Sequence, residues 1–253
     1  MVAGLDKFRE AFREYTDQYV LIGGTACSLE MEEAGLSYRS TKDLDIVLCI
    51  EALTDDFISG IWDFILIGQY EIRQKGESQR CFYRFAKPKV KGYPYMLELF
   101  SRKPDGIVFK GEGTITPVPA GKEASSLSAI LLNDDYYTFL MQGKYTADEL
   151  SILKSQYLIP LKVKAFLDLS ERRASGEDVD RKDIKKHKND VFRLAQLLSV
   201  ETRLILPETL SYDLKNFLLQ MLDDPVKVSD FVPGSIKKEQ LLDAIKANYE
   251  NID

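Results

Sequence analysis

The sequence predicts an α+β protein, with a mixed β-sheet and flanking helices over residues 1–157 and an all-helical part over 158–253. Three observations predict it. Short apolar runs recur through the first half, separated by stretches with helical spacing. From about residue 158 the strand-like runs stop and only helical patterns remain. The composition, 45% hydrophobic and 29% charged over 253 residues, is that of a chain able to bury a core. A disordered chain, a collagen-like repeat and a coiled-coil rod are excluded.

The elements follow in order. Leu5, Phe8 and Phe12 lie at helical spacing within residues 5–17. Tyr19-Val20-Leu21-Ile22 reads as a buried strand ending at a Gly23-Gly24 turn, and Thr25 to Ala34 as a helix stopped by Gly35. Asp43 to Ile50 is a second strand and residues 55–66 a helix. Residues 69–74, 80–86 and 95–101 read as further strands, with Lys87-Pro88 and Gly92-Tyr93-Pro94 as breaks. A Gly/Pro-rich passage covers 111–121, Ser128 to Leu132 reads as a last strand, and Asn133-Asp134-Asp135 opens a helix. Helices are expected over roughly 160–175, 180–199, 207–222 and 235–249.

Composition also bounds the chemistry. No apolar run approaches the roughly 20 residues that cross a bilayer, and the first residues, MVAGLDK, lack a signal-peptide core. Cys27, Cys49 and Cys81 have no C-x-x-C spacing, so a reduced cytoplasm is the simplest expected setting. The formal charge is −6, so any nucleic-acid contact needs a local basic patch. With one histidine, His187, a Ser-His-Asp triad or multi-histidine metal site is not expected, and carboxylates and lysines are left to carry any catalysis.

Three features of the first hundred residues could form a site. Gly23-Gly24 after a strand lets the backbone approach a ligand, and the helix that follows favours an anion at its N-terminus; the same pair also serves a plain turn. Asp43-Leu44-Asp45 opens an apolar strand, where side chains two apart share a face. Paired carboxylates that close favour a cation such as Mg²⁺, although a polar strand end facing water reads equally well. Glu98 is a lone acid in Tyr95-Met96-Leu97-Glu98-Leu99-Phe100, either paired with a cation or turned outwards on an edge strand.

Taken together, the order of these features resembles the nucleotidyltransferase superfamily of polymerase-β type. Leu21-Ile22-Gly23-Gly24-Thr25-Ala26 and Arg39-Ser40-Thr41-Lys42-Asp43-Leu44-Asp45-Ile46 resemble the branch of AbiEii abortive-infection toxins, whose pattern is GG-T/S-A followed by R-x-T/S-x-D-h-D. In the second half, Lys162-Val163-Lys164-Ala165 matches a K-h-x-A pattern, with Lys164 as a rival to Lys162, and Asp190-Val191-Phe192-Arg193-Leu194 resembles a later aspartate helix. Glu98 stands where many relatives carry Asp.

The resemblance implies transfer of a nucleoside monophosphate from an NTP, with two Mg²⁺ ions held by Asp43, Asp45 and Glu98. It implies that Gly23, Gly24 and Thr25 cradle the phosphates, that Arg39 and Thr41 belong to the nucleotide site, and that Lys162 offsets triphosphate charge. Asp190 would orient a substrate or that lysine. In toxin relatives the acceptor is tRNA or a protein, and a cognate antitoxin holds activity off. The rival expectation is a nucleotide- or protein-binding module on the same fold, without turnover.

The window 181–193, RKDIKKHKNDVFR, holds six Lys/Arg against two Asp, a net +4, while residues 201–253 sum to −4. A solvated helix face explains the window, and an RNA-facing patch is the functional alternative. His187 reads as an exposed helix residue rather than a ligand.

Overall fold

The computed structural model describes residues 2–72, 82–101, 133–199 and 203–252. The expected passage at 111–121 and the strand at Ser128–Leu132 lie outside these residues, as does Cys81. The chain divides into two compact units, Met1–Leu131 with Lys144–Leu153, and Leu132–Gly143 with Lys154–Asp253. It therefore passes between units three times, where the texture of the sequence suggested one change near residue 158.

The first unit is built on a mixed sheet. Its strands are β1 (Tyr19–Ile22), β2 (Asp43–Leu48), β3 (Glu71–Ile72), β4 (Phe82–Ala86), β5 (Met96–Phe100), β6 (Lys144–Ala147) and β7 (Leu150–Leu153), in the order β3-β4-β5-β2-β1-β7-β6. The β2–β5 and β1–β7 pairs are parallel, and the rest are antiparallel. Around it lie α1 (Leu5–Phe12), α2 (Gly23–Glu33) and α3 (Asp55–Gly68).

Period-two alternation separates the faces of this sheet. Tyr19 and Leu21, Leu44, Ile46 and Leu48, Phe85, and Leu97 and Leu99 all enter one apolar core with Phe8 and Phe12 of α1 and Phe57 and Phe64 of α3. Aromatic rings carry much of it: Phe8 and Phe12 lie 4.6 Å apart, and Tyr19 stacks on Phe57 at 6.2 Å. Burial pushes the Tyr19 hydroxyl up to about 12. The intervening residues, Asp43, Asp45, Arg84 and Glu98, are left for the opposite face. That parity is what creates a site.

Two elements depart from the sequence reading. Helix α2 begins at Gly23, not Thr25, so the glycines open the helix instead of preceding it. The β6–β7 hairpin is an element that the sequence reading did not assign; its turn residues Asp148 and Glu149 both adopt positive φ, 47° and 59°. Such turns usually contain Asn or Gly, so this one gave no signal.

The second unit contains α4 (Asp134–Gln142), α5 (Ser155–Ala174), α6 (Arg181–Ala195), α7 (Glu208–Asp223) and α8 (Lys238–Asn248), with a short parallel pair of β8 (Leu204–Ile205) and β9 (Tyr249–Glu250). The side-chain oxygen of Asn133 caps α4, accepting from the Asp135 amide at 3.0 Å, and Asp180 caps α6. Pro160 inside α5 cannot donate to the carbonyl of Gln156. That carbonyl instead accepts from the buried Tyr249 hydroxyl at 2.6 Å, so the proline's lost bond is replaced from another helix end. No helix among the described residues is long and apolar enough to cross a membrane.

Candidate active site

Strand register assembles the site in the first unit. Because β2 and β5 run parallel with Asp45 opposite Glu98, and β4 pairs with β5 with Arg84 opposite Glu98, three charged residues form one row across three strands. Arg84 Nε donates to Glu98 Oε1 at 2.6 Å. Asp45 stands directly opposite Glu98 on the neighbouring strand β2, so its charge bears on the Glu98 carboxyl. Burial, then the neighbouring Asp45 charge, raise the Glu98 pKa well above the carboxylate range, while Arg84 pulls it down. Glu98 is thus buried and paired, not an outward-facing edge residue.

The glycines meet this row directly. Gly23 has φ +64°, and a Cβ built on it would stand 1.7 Å from Asp45 Oδ2. Only glycine lets the Asp45 carboxylate lie against the start of α2. A Cβ on Gly24 would stand 2.7 Å from Thr41 Oγ1 and 3.6 Å from the Arg39 guanidinium. The Thr25 hydroxyl donates to the Asp43 carbonyl at 2.8 Å, tying α2 to the first residue of β2. Gly23, Gly24, Thr25, Arg39, Thr41, Asp43, Asp45 and Glu98 therefore gather at one end of β2 and α2.

Lys162 and Asp190 belong to the second unit and pair with each other. Lys162 Nζ lies 3.3 Å from Asp190 Oδ2, with both side chains buried, and Arg193 holds the other Asp190 oxygen at 3.1 Å. Lys164 instead binds Asp213 at 3.0 Å, where Tyr136 also donates at 2.8 Å. The neighbouring lysines are thus separated by their partners. In the basic window, Lys185 is exposed and His187 half-buried, while Lys188 is held by Asp224 at 2.7 Å.

Arg84 is the residue that sequence reading missed. It sits in an alternating strand where an arginine reads as solvent-facing. A usable signal existed: β4 and β5 each carry one charge among apolar residues, and antiparallel pairing can bring the two together.

The donor chemistry fits a divalent cation. Asp45 and Glu98 offer hard oxygens with too little positive charge beside them, next to a backbone that bears no side chain at Gly23. Among the described residues no group of three His, Cys, Asp or Glu makes a ready metal cage. The chain suits a cation that brings further oxygen ligands with it, as Mg²⁺ does when bound to phosphates.

Among solved structures the chain is similar to an antigenic nucleotidyltransferase-like protein from Paracoccidioides brasiliensis, at 15% identity and a TM-score of 0.50, covering 98% of this chain and 95% of that one. It also aligns with JHP933 from Helicobacter pylori at 17% identity and a TM-score of 0.34, covering 97% and 88%. No protein-family model and no curated protein matches the chain. The first likeness establishes the fold.

Proposed function

We propose that the chain is a metal-dependent nucleotidyltransferase moving a nucleoside monophosphate from an NTP to a hydroxyl acceptor. The observation that carries this reading is the register that sets Asp45 directly opposite Glu98 on adjacent strands, beside the bare backbone of Gly23. A pure scaffold gains nothing from two acids held together at such cost.

Asp43, Asp45 and Glu98 would hold two Mg²⁺ ions. When bound, these offset phosphate charge and lower the pKa of the attacking hydroxyl. The chain's own part is to bind and orient. Gly23 and Gly24 keep the entry to α2 clear for the triphosphate, whose oxygens can accept from the Thr41 hydroxyl and the Arg39 guanidinium. The acceptor oxygen bonds to the α-phosphorus as the bridging bond to the β-phosphate breaks, its proton passes to water, and pyrophosphate leaves.

The finer reading is an AbiEii-like toxin with a cognate antitoxin and a tRNA acceptor. The two motifs around Gly23 and Asp45, and the basic window at 181–193, support it. A protein acceptor is the variant of the same reading. The other class, a nucleotide-binding module without turnover, draws support from Arg84, which already engages Glu98.

The test incubates the protein with each α-³²P-labelled NTP, Mg²⁺, total tRNA and cell protein, resolved on denaturing gels. Label is expected on RNA, and Asp45→Asn should lower it about a thousandfold, about 4 kcal/mol of barrier. A Mg²⁺-dependent thermal shift with an NTP but no label on any acceptor supports the non-catalytic module. Neither label nor shift overturns the reading.

A further inference from the structure

We infer that Arg84 is a built-in counter-charge for the Asp45–Glu98 pair, keeping the pair from holding a divalent cation until a triphosphate brings one. The inference rests on the nucleotidyltransferase reading of the site, but its evidence is separate. Register places Arg84 directly opposite Glu98 on β4, as Asp45 is directly opposite Glu98 on β2. The guanidinium reaches Glu98 Oε1 through both Nε and a terminal nitrogen, so one carboxyl oxygen of the proposed ligand is already engaged. Arg84 is only about a quarter exposed and Glu98 about a tenth, so the pair is weakly screened by water.

The consequence is competitive. A cation arriving alone must face a fixed positive charge one residue away and displace one of two hydrogen bonds on Glu98. A cation arriving on a triphosphate comes with excess negative charge, which the guanidinium attracts instead of repelling. Arg84 would turn from Glu98 towards phosphate, freeing the carboxylate as the nucleotide seats. Metal and nucleotide then enter together. Arg84 is a positioning residue: it acts through Glu98 on the timing of metal entry.

The experiment is Mn²⁺ titration followed by electron paramagnetic resonance at low salt, comparing wild type with Arg84→Gln, Glu98→Gln and the double variant. Wild type should bind free Mn²⁺ weakly, and Arg84→Gln roughly tenfold more tightly. The double variant should lose that gain. Arg84→Lys, which keeps the charge, should bind as wild type does. A strand-crosslinking role alone would lower the melting temperature of Arg84→Gln without tightening Mn²⁺ binding, so equal or weaker binding in that variant overturns the inference. In a second arm, a non-hydrolysable NTP should tighten Mn²⁺ binding to wild type more than to Arg84→Gln. Failure of any NTP to bind either protein sinks the nucleotidyltransferase reading, while the free-Mn²⁺ comparison still decides the role of Arg84.

Discussion

The two units treat their acids in opposite ways. In the helical unit Asp190 lies between Lys162 and Arg193, at 3.3 and 3.1 Å, and Asp213 between Lys164 and Tyr136, at 3.0 and 2.8 Å. In the sheet unit Asp45 and Glu98 instead stand opposite each other on adjacent strands, with Arg84 engaging the second of them. Where each acid has donors of its own, the arrangement is complete without a ligand. Where two acids share too little positive charge, stability is given up locally, and a cation is the natural remedy. The contrast separates acids that hold a fold together from acids that await something.

The largest break in that contrast comes from neutralising one acid in each unit. Asp190→Asn leaves Lys162 and Arg193 facing each other without a counter-charge inside the helical core. The expected loss is about 3 kcal/mol or more by urea denaturation, the usual cost of stranding a buried charge. Asp45→Asn removes a repulsion instead, and apo stability should hold or rise slightly. Equal losses in both variants would mean that the sheet acids are as well compensated as the helical ones.

A smaller effect sharpens the geometry on the sheet side. Gly23→Ala must place a methyl where Asp45 Oδ2 now stands and must hold φ near +64°. The backbone conformation alone costs about 1–2 kcal/mol for an L-residue, and displacing Asp45 adds to it. In an Asp45→Ala background only the backbone part should remain. Identical losses in both backgrounds would show that Asp45 does not rest against Gly23 in solution.

The sheet side was also the more legible from sequence. The apolar run Tyr19–Ile22 and Asp43-Leu44-Asp45 are local signals that sit where their spacing places them, and the glycines differ only in opening α2 instead of preceding it. Glu98 was visible as a lone acid, but its partner was not, because register between β4 and β5 is a long-range property that no window of sequence contains. The β6–β7 hairpin escaped for a different reason: Asp148 and Glu149 take positive φ without the glycine that usually advertises it. In the helical unit the choice between Lys162 and Lys164 could not be made from the motif, since two residues apart on a helix they point to different neighbours. Only the packing of α6 and α7 against α5 gives one Asp190 and the other Asp213.

The smallest expected effect is a slope in pH. Burial first, and the Asp45 charge second, hold the folded pKa of Glu98 above its ordinary value of 4.5. Between about 4.5 and that raised value the unfolded chain has released the Glu98 proton while the folded chain keeps it. The folded state then binds more protons, so apo stability falls as pH rises through this window. Asp45→Asn removes the second cause but not the first, so it should flatten the slope without abolishing it. The measurement is the urea midpoint of wild type and Asp45→Asn at several values from about pH 5 to pH 8, without divalent cations. Converging curves at low pH and diverging ones at high pH, with the variant the more stable, are expected. Parallel curves would mean that Asp45 does not act on Glu98, and the helical acids, each with donors of its own, would then have no opposite in the sheet.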